Sequence, residues 1–327
     1  MKKIAINGFG RIGRILFRIL HHKADVQVCV INDIATPKVL SHLLKYDSVH
    51  GPFLGKVDYG DDYILVDEKK ITVLNTPNLP SLDWASFNID VVFECTGLFK
   101  SFKDNLSHIN SGANKVILSA PPSDQDIKMV VLGVNDHTIS QDEKIISNAS
   151  CTTNCAAPMI KVLNDAFAVK SAYVTTVHSY TSDQNLHDGV HVDLRRARSA
   201  STSIIPTTTG AAKALSYIFP KIKISGCGIR VPVSNCSLTD ITCVINKTTN
   251  IQEVNKLFNI ASKHRMKNIL AYNIEPIVSV DIKSSTYSCV FDSLLTYVSG
   301  NMIKIVGWYD NEYGYCSRLA DLLYRIK

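Results

Sequence analysis

Apolar and polar positions divide the chain into two regimes. From Lys3 to about residue 150, short continuous apolar runs alternate with stretches of helical period. KIAIN (3–7), VQVCVIN (26–32), DVVFEC (90–95), KVILS (115–119) and MVVLG (129–133) read as buried strands. Helical material lies between them, from about residue 13 to His22, at 37–45 and at 102–111. Strands alternating with helices predict an α/β fold with a doubly wound, parallel sheet. After Ser150 a helix is predicted over about 151–166, followed by a strand YVTTV (173–177). From there to about residue 203 neither period is strong. So long an irregular segment in a compact domain is usually functional, which predicts a binding or interface loop. Runs at 225–232, 238–246, 276–283, 287–296 and 302–308 alternate Val, Ile, Thr and Tyr. They predict an α+β second domain with a largely antiparallel sheet that has one solvated face. Two helices accompany it, near 251–264 and 312–326. The last carries Leu319, Leu322, Leu323 and Ile326 on one face, suited to packing back onto the first domain.

Composition agrees with two domains and narrows the partners. A chain of 327 residues suits two domains of roughly 150 residues each. Its 46% hydrophobic and 20% charged residues supply two cores and leave no disordered tract. No run of about 18 apolar residues occurs, and Gly8 breaks the N-terminal MKKIAINGFG before it could form a signal-peptide core. A cytoplasmic, unprocessed chain with no membrane partner is expected. The nine cysteines are scattered, without paired CxxC clusters, which argues against a disulfide framework and a structural metal. A net charge of +6 with no Lys/Arg block gives no footprint for nucleic acid. The densest basic group, D-L-R-R-A-R (193–198), is either a solvated face or an anion site.

Candidate chemistry begins at G-F-G-R-I-G (8–13), between the first strand and first helix, with Asp33 twenty residues beyond Gly13 at the end of the second strand. In that context the glycines read as a dinucleotide-binding turn. Gly8 makes the turn, and Gly10 admits a pyrophosphate close to the backbone. Gly13 completes the pattern, and the N–H groups near Arg11 and Ile12 face the anion. Asp33 would accept ribose hydroxyls and repel a 2′-phosphate, placing NAD ahead of NADP. In N-A-S-C-T-T-N-C (148–155), Ser150 is a candidate N-cap, so Cys151 falls in a first helical turn whose dipole favours a thiolate. His178, just past the predicted strand YVTTV, could pair with that thiolate and move protons. Cys155, one turn on, reads as packing.

The chain resembles the phosphorylating glyceraldehyde-3-phosphate dehydrogenases from Lys3 to about Ile326. The resemblance rests on I-N-G-F-G-R-I-G-R (6–14), L-L-K-Y-D-S-V-H-G (43–51), E-C-T-G (94–97), S-N-A-S-C-T-T-N-C (147–155), D-L-R-R-A-R (193–198), T-G-A-A-K-A (209–214), R-V-P (230–232) and W-Y-D-N-E-Y-G-Y (308–315). It implies an NAD-binding Rossmann domain over 1–150, a catalytic domain over 151–311, and a C-terminal helix, 312–327, returning to the first. It implies that the Cys151 thiolate attacks the aldehyde of glyceraldehyde 3-phosphate while His178 takes the hydroxyl proton as hydride passes to the nicotinamide. Inorganic phosphate then releases 1,3-bisphosphoglycerate from a Cys151 thioester, with His178 and the Cys151 N–H stabilising the oxyanion. By the same resemblance Thr181, Asp183 and Arg230 hold the substrate phosphate. Ser150, Thr152, Arg196, Thr209 and Gly210 hold the attacking phosphate. Ser119 and Asn311 contact the nicotinamide half, and Tyr315 either packs beside that ring or is an ordinary core tyrosine. A homotetramer is implied, with the 180–203 loops crossing subunit interfaces.

Departures from the family pattern bear on the coenzyme. Asn75, Thr76 and Pro77 stand where the family has Arg-Asp-Pro, removing one basic contact. Gly189 and Val190 stand where strictly NAD-dependent bacterial members have Leu-Pro, without matching the small polar pair of NADP-using plastid forms, and Ser182 replaces a common Asn. The alternative enzyme is an erythrose-4-phosphate dehydrogenase, which shares the Cys and His but lacks the Thr-Gly-Ala-Ala-Lys block present here at 209–213.

Overall fold

The apolar runs of the N-terminal half lie side by side in one sheet. In a computed structural model, which describes residues 1–326, the order is β1 (Lys2–Asn7), α1 (Arg11–His21), β2 (Val26–Asn32), α2 (Pro37–Lys45), β3 (Val57–Tyr59), β4 (Tyr63–Val66) and β5 (Lys69–Leu74). Then come β6 (Val91–Glu94), α3 (Phe102–Asn110), β7 (Lys115–Leu118), β8 (Lys128–Met129) and β9 (Ile145–Ser147). The sheet order is β3-β4-β5-β2-β1-β6-β7-β9-β8. All pairs from β5 to β8 are parallel, and β3-β4-β5 is an antiparallel edge. β1 and β6 are apolar and almost wholly buried, as central strands covered on both faces must be. The chain steps outward from β1 to β2 and β5, then returns to β6 on the other side of β1. That reversal leaves a crevice at the strand ends, the usual ligand position in such sheets.

Three expectations change in this sheet. The β3-β4-β5 edge carries too many charged residues in strands too short to show a period. β9 is equally short. The expected strand at 129–133 is reduced to Lys128–Met129, because the chain turns at once, with Val134 N–H donating to Val131 O at 3.1 Å.

The second sheet follows α4 (Cys151–Phe167) and comprises β10 (Val169–Ser179), β11 (Ile205–Thr207), β12 (Lys223–Val231), β13 (Ser237–Ile245), β14 (Leu270–Asn273), β15 (Cys289–Asp292), β16 (Tyr297–Ser299) and β17 (Met302–Tyr309). Helices α5 (Ala211–Ile218) and α6 (Ile251–Lys263) are interleaved, and α7 (Tyr313–Leu322) closes the chain. The order is β11-β12-β10-β13-β17-β15-β14, with β16 on β17. Only β10/β12 and β14/β15 are parallel. β13 alternates buried and half-buried positions without a break, the signature of a sheet with one covered face. The covering element is α4, most of whose residues are buried against β13, β15 and β17. Residues 276–283 are not a strand but an irregular stretch with a single 3-10 turn at Ser279–Ile282, and the strand expected at 287–296 is only Cys289–Asp292.

Two compact units result. One comprises Met1–Val130, His137–Ala149 and the segment from Cys316 onward; the other comprises Val131–Asp136 and Ser150–Tyr315. The C-terminal segment is tied to the first unit by Lys2 Nζ, which donates to Leu323 O at 2.7 Å and Ile326 O at 3.3 Å. Lys327, the last residue of the helix expected at 312–327, lies outside the described residues.

Candidate functional site

At the crevice beside β1, the glycines act through space as much as through φ. Gly8 has φ +90°, and a Cβ there would lie 2.6 Å from Thr96 N; a Cβ on Gly13 would lie 2.2 Å from Gly8 O. Strand and helix therefore pack closer than any side chain permits. Gly10 faces open space, and it begins α1 with no side-chain cap and no acid in the first turn. The backbone of that first turn is placed to face an anion. The Arg11 side chain is not: its guanidinium grips Asp47 with two bonds, at 2.7 and 3.2 Å. Asp33 accepts Phe9 N–H at 2.7 Å and Ala35 N–H at 2.9 Å, one on each oxygen. Each oxygen retains a lone pair for a ribose hydroxyl. Gly8, Gly10 and Asp33 line a pocket of about 290 Å³, together with Asn7, Asn32, Thr76, Pro77 and Thr96. An open Gly, an uncapped helix start and a carboxylate on one pocket fit a dinucleotide. Asn75, where a basic residue was expected, instead ties the backbone, donating to Asp33 O at 3.0 Å and Ala35 O at 3.2 Å. Ser119 follows β7, with its N–H donating to Glu94 O at 2.9 Å.

In the second unit, Cys151 is the first residue of α4. Ser150 caps the helix, its Oγ accepting Thr153 N–H at 3.1 Å, and Ala149 before it holds φ +52°, a strained value for a residue with a Cβ. His178 lies inside β10 rather than past its end. Its Nε2 is 3.5 Å from Cys151 Sγ. Parallel pairing sets His178 opposite Arg230 on β12, whose Nη1 reaches His178 Nδ1 at 2.7 Å and Ser179 O at 2.9 Å. Burial pushes the thiol up to about 11, against the lowering fields of Arg230 and the Thr152 N–H. Burial, then Arg230, push the imidazole down to about 3. The sequence suggested a thiolate stabilised by the helix dipole. Desolvation outweighs it here for each group taken singly.

The other expected anion-holding residues divide into those that gather near this pair and those with other partners. Arg196 is held by Asp183, by Thr207 Oγ1 at 2.9 Å and by Thr208 O at 3.2 Å, so Asp183 and Arg196 form one exposed pair. Thr181 is half-buried two residues away. Gly210 begins α5 uncapped and in open space, and Thr209 Oγ1 accepts Ala211 N–H at 3.2 Å. Thr152 turns inward, its hydroxyl 2.8 Å from Tyr309 Oη. Asn311 Oδ1 accepts from Ser179 Oγ and Ser237 Oγ, both at 3.0 Å, which fixes its amide plane. Tyr315 is buried. Cys155 is buried, with Sγ 3.7 Å from Gly307 O, as its reading as packing requires.

Two groups escaped sequence reasoning. Tyr309 Oη bridges Thr152 and Thr176, each at 2.8 Å, and its ring meets His178 edge-on at 6.0 Å. It could be singled out only as a polar aromatic ending a strand within W-Y-D-N-E-Y-G-Y. Asn7, Asn32, Thr76 and Thr96 line the coenzyme pocket; Asn7 and Thr96 stood in the motifs I-N-G-F-G-R-I-G-R and E-C-T-G and Thr76 among the family departures, but none had been given a binding role.

Comparison with known proteins agrees across both units. Residues 2–102 match the family model described as "Glyceraldehyde 3-phosphate dehydrogenase, NAD binding domain", and residues 150–311 match "Glyceraldehyde 3-phosphate dehydrogenase, C-terminal domain". The chain is 47% identical to glyceraldehyde-3-phosphate dehydrogenase of Mycobacterium avium, over 98% of this chain and 97% of that one. It is 46% identical to glyceraldehyde-3-phosphate dehydrogenase 1 of Bacillus cereus, with the same coverage. To the Thermotoga maritima enzyme of that name it is 47% identical, over 99% of this chain and 98% of the relative.

Proposed function

The chain belongs to the glyceraldehyde-3-phosphate dehydrogenase family, and from that premise we propose that it oxidises glyceraldehyde 3-phosphate with NAD and inorganic phosphate through a thioester on Cys151. The observation that carries the reading is the Cys151 Sγ to His178 Nε2 approach of 3.5 Å at the start of a capped helix, with Arg230 beside the imidazole. We assign coenzyme binding to residues 1–150 with the C-terminal helix 312–327, and substrate chemistry to 151–311.

Gly8, Gly10, Gly13 and the N–H groups of Arg11 and Ile12 would hold the pyrophosphate of NAD, Asp33 the ribose, and Ser119 and Asn311 the nicotinamide half. NAD, when bound, supplies the hydride acceptor that takes the thiohemiacetal to the thioester. The remaining steps belong to side chains. His178 Nε2 receives the proton of the thiol as sulfur bonds to the aldehyde carbon, returns it to the new alkoxide to give the thiohemiacetal hydroxyl, and takes it back as the thioester forms. The Cys151 N–H, in a first helical turn, and the imidazole steady the developing oxyanion. Arg230, Thr181 and Asp183 position the substrate phosphate. Arg196, Ser150, Thr152, Thr209 and Gly210 position the attacking phosphate, with the uncapped start of α5 supplying further donors.

His178 Nδ1–H donates to Ser179 O at 2.7 Å, which leaves the Nε2 lone pair to take a proton, and Arg230 Nη1 donates to the same oxygen at 2.9 Å. An anion that engages Arg230 relieves the positive field on the imidazole and, since the same field lowers the thiol, moves both groups upward together. The test is reduced-coenzyme production from glyceraldehyde 3-phosphate and from erythrose 4-phosphate, each with and without phosphate. Turnover that prefers glyceraldehyde 3-phosphate and requires phosphate is expected; equal rates without phosphate sink the phosphorylating assignment.

We further assign a homotetramer. Leu186, Val190, Val192 and Leu194 on the 180–203 loop are all exposed, Val190 and Val192 completely, and so much apolar side chain on one loop suits contact with another copy. A cytoplasmic location fits nine cysteines of which none is in a disulfide. Among the described residues, no helix is long and apolar enough to cross a membrane.

A further inference from the structure

Buried polar groups that this chemistry does not use fall on one continuous line through the first unit. Trp84 and His108 are fully buried, and Trp84 Nε1 lies 3.0 Å from His108 Nδ1. An indole N–H can only donate, so Nδ1 is the acceptor and a neutral ring carries its proton on Nε2. Nε2 faces Glu94 Oε2 at 3.1 Å, and Glu94 is itself 0% exposed. Glu94 Oε2 also accepts Asn7 Nδ2 at 2.5 Å, and Oε1 accepts the N–H of Thr96 at 2.8 Å and its hydroxyl at 2.5 Å. Asn7 Oδ1 accepts Asn32 Nδ2 at 2.7 Å, and Asn32 brackets the Thr76 backbone, donating to Thr76 O at 3.0 Å and accepting Thr76 N–H at 3.2 Å.

This line crosses the C-terminal edges of β6, β1 and β2 and reaches the residues following β5. Asn7, Asn32, Thr76 and Thr96 line the coenzyme pocket, whereas Trp84, His108 and Glu94 do not. A carboxylate offers acceptors only, so every group around it must point a donor inward. That requirement settles which way the Asn7 amide faces. Asn7 in turn settles Asn32, and Asn32 settles Thr76.

We propose that Glu94 is a positioning residue for the coenzyme. Held by His108 and Trp84, it fixes the orientation of the four polar residues that shape the pocket at the point where the strand order reverses. The inference rests on the coenzyme reading above and adds to it residues that no part of the ligand touches.

Glu94→Gln keeps the shape but replaces half of the acceptor with an amide donor. Trp84 prevents His108 from changing tautomer, and Asn7 also donates to Oε2, so the new N–H group meets the donors of Thr96. NAD affinity, kcat at saturating NAD and the rate of Cys151 alkylation are measured on the full chain. A buried donor conflict predicts an NAD Kd raised about ten-fold, with kcat and alkylation within about two-fold of the unaltered chain. NAD binding as tight as in the unaltered chain, or a kcat that falls as far as affinity, overturns the proposal. Should Glu94→Gln not fold, Trp84→Phe tests the far end of the line. It removes the N–H that fixes His108 together with part of the buried ring, and NAD affinity about three-fold weaker is expected. Unchanged affinity there overturns the proposal equally. An unaltered chain that does not bind NAD removes the coenzyme reading first, and this inference with it.

Discussion

At Cys151, burial and charge act in opposite directions. Burial raises the thiol to about 11 and lowers His178 to about 3, so each group taken alone stays neutral. Moving the proton from Sγ to Nε2 creates two opposite charges 3.5 Å apart, whose attraction is strong where water is excluded. Removing the imidazole takes away the thiol's proton acceptor and leaves burial opposed only by Arg230 and the nearby N–H bonds. His178→Asn should therefore slow alkylation of Cys151 by iodoacetamide near neutral pH, by about ten-fold or more. An unchanged rate would assign activation to the α4 N-terminus alone. Cys151→Ser should abolish turnover and leave NAD binding near normal, since Gly8, Gly10 and Asp33 line a pocket to which Cys151 does not contribute; an active Ser variant overturns the nucleophile. Asp33 belongs to this scale too. Its carboxylate organises the Phe9 and Ala35 N–H groups and faces the pocket, so Asp33→Asn should weaken NAD and narrow its advantage over NADP. Discrimination that persists in the variant would place it elsewhere, in Thr76 or Pro77.

Among the elements, the segment after α2 shows how a loop is held by charge. Burial alone would raise the Asp47 carboxyl, but N–H bonds from His50 and Val49 and the Arg11 guanidinium outweigh it and bring it to about 2. A folded pKa below the ordinary carboxylate value of about 4 stabilises the fold above that pH and is lost as pH falls through about 2. Asp47→Asn should thus lower the denaturation midpoint at pH 7, and the loss should shrink steadily between about pH 4 and 2. A pH-independent loss would mean the bonds matter by shape and not by charge. The same pairing explains why Arg11, singled out for coenzyme binding, is fitted for it through its backbone N–H. Element boundaries were legible where a run was long and its period strong, as in β1, α1, α4 and β13. They were not where two or three residues pair only because a neighbouring strand offers its edge, as in β8, β9 and β11. At 276–283 the period-two pattern is present but no strand edge is offered, and the segment stays irregular.

For the whole molecule, the unpaired feature is the loop from 180 to 203. It has no regular structure, yet it is pinned internally. Gly189 N–H donates to Ala197 O at 2.9 Å, and Ser199 N–H and Arg198 Nε donate to Asp188 at 3.0 and 2.8 Å. A loop ordered by its own bonds while its Leu and Val side chains face outward is preset for a partner surface. Sedimentation velocity on the full chain should give a tetramer, and Val192→Asp should shift it toward smaller species. A monomer boundary for the unaltered chain overturns the assembly.

What the sequence determined by itself is local in its physics. The spacing of Gly8, Gly10, Gly13 and Asp33 marks a strand, a turn and a helix, because period and backbone freedom act between near neighbours. Ser150 before an apolar helix places Cys151 in a first turn for the same reason. Only the tertiary structure decided the rest. His178 is 27 residues from Cys151, and Arg230 is 52 beyond His178; the register of β10 on β12 sets them side by side, and no local pattern encodes a register between strands so far apart. Trp84, His108 and Glu94 are likewise ordinary letters in apolar surroundings until the sheet closes over them. Burial then obliges each to find a partner, because an unpaired polar group away from water is too costly to leave.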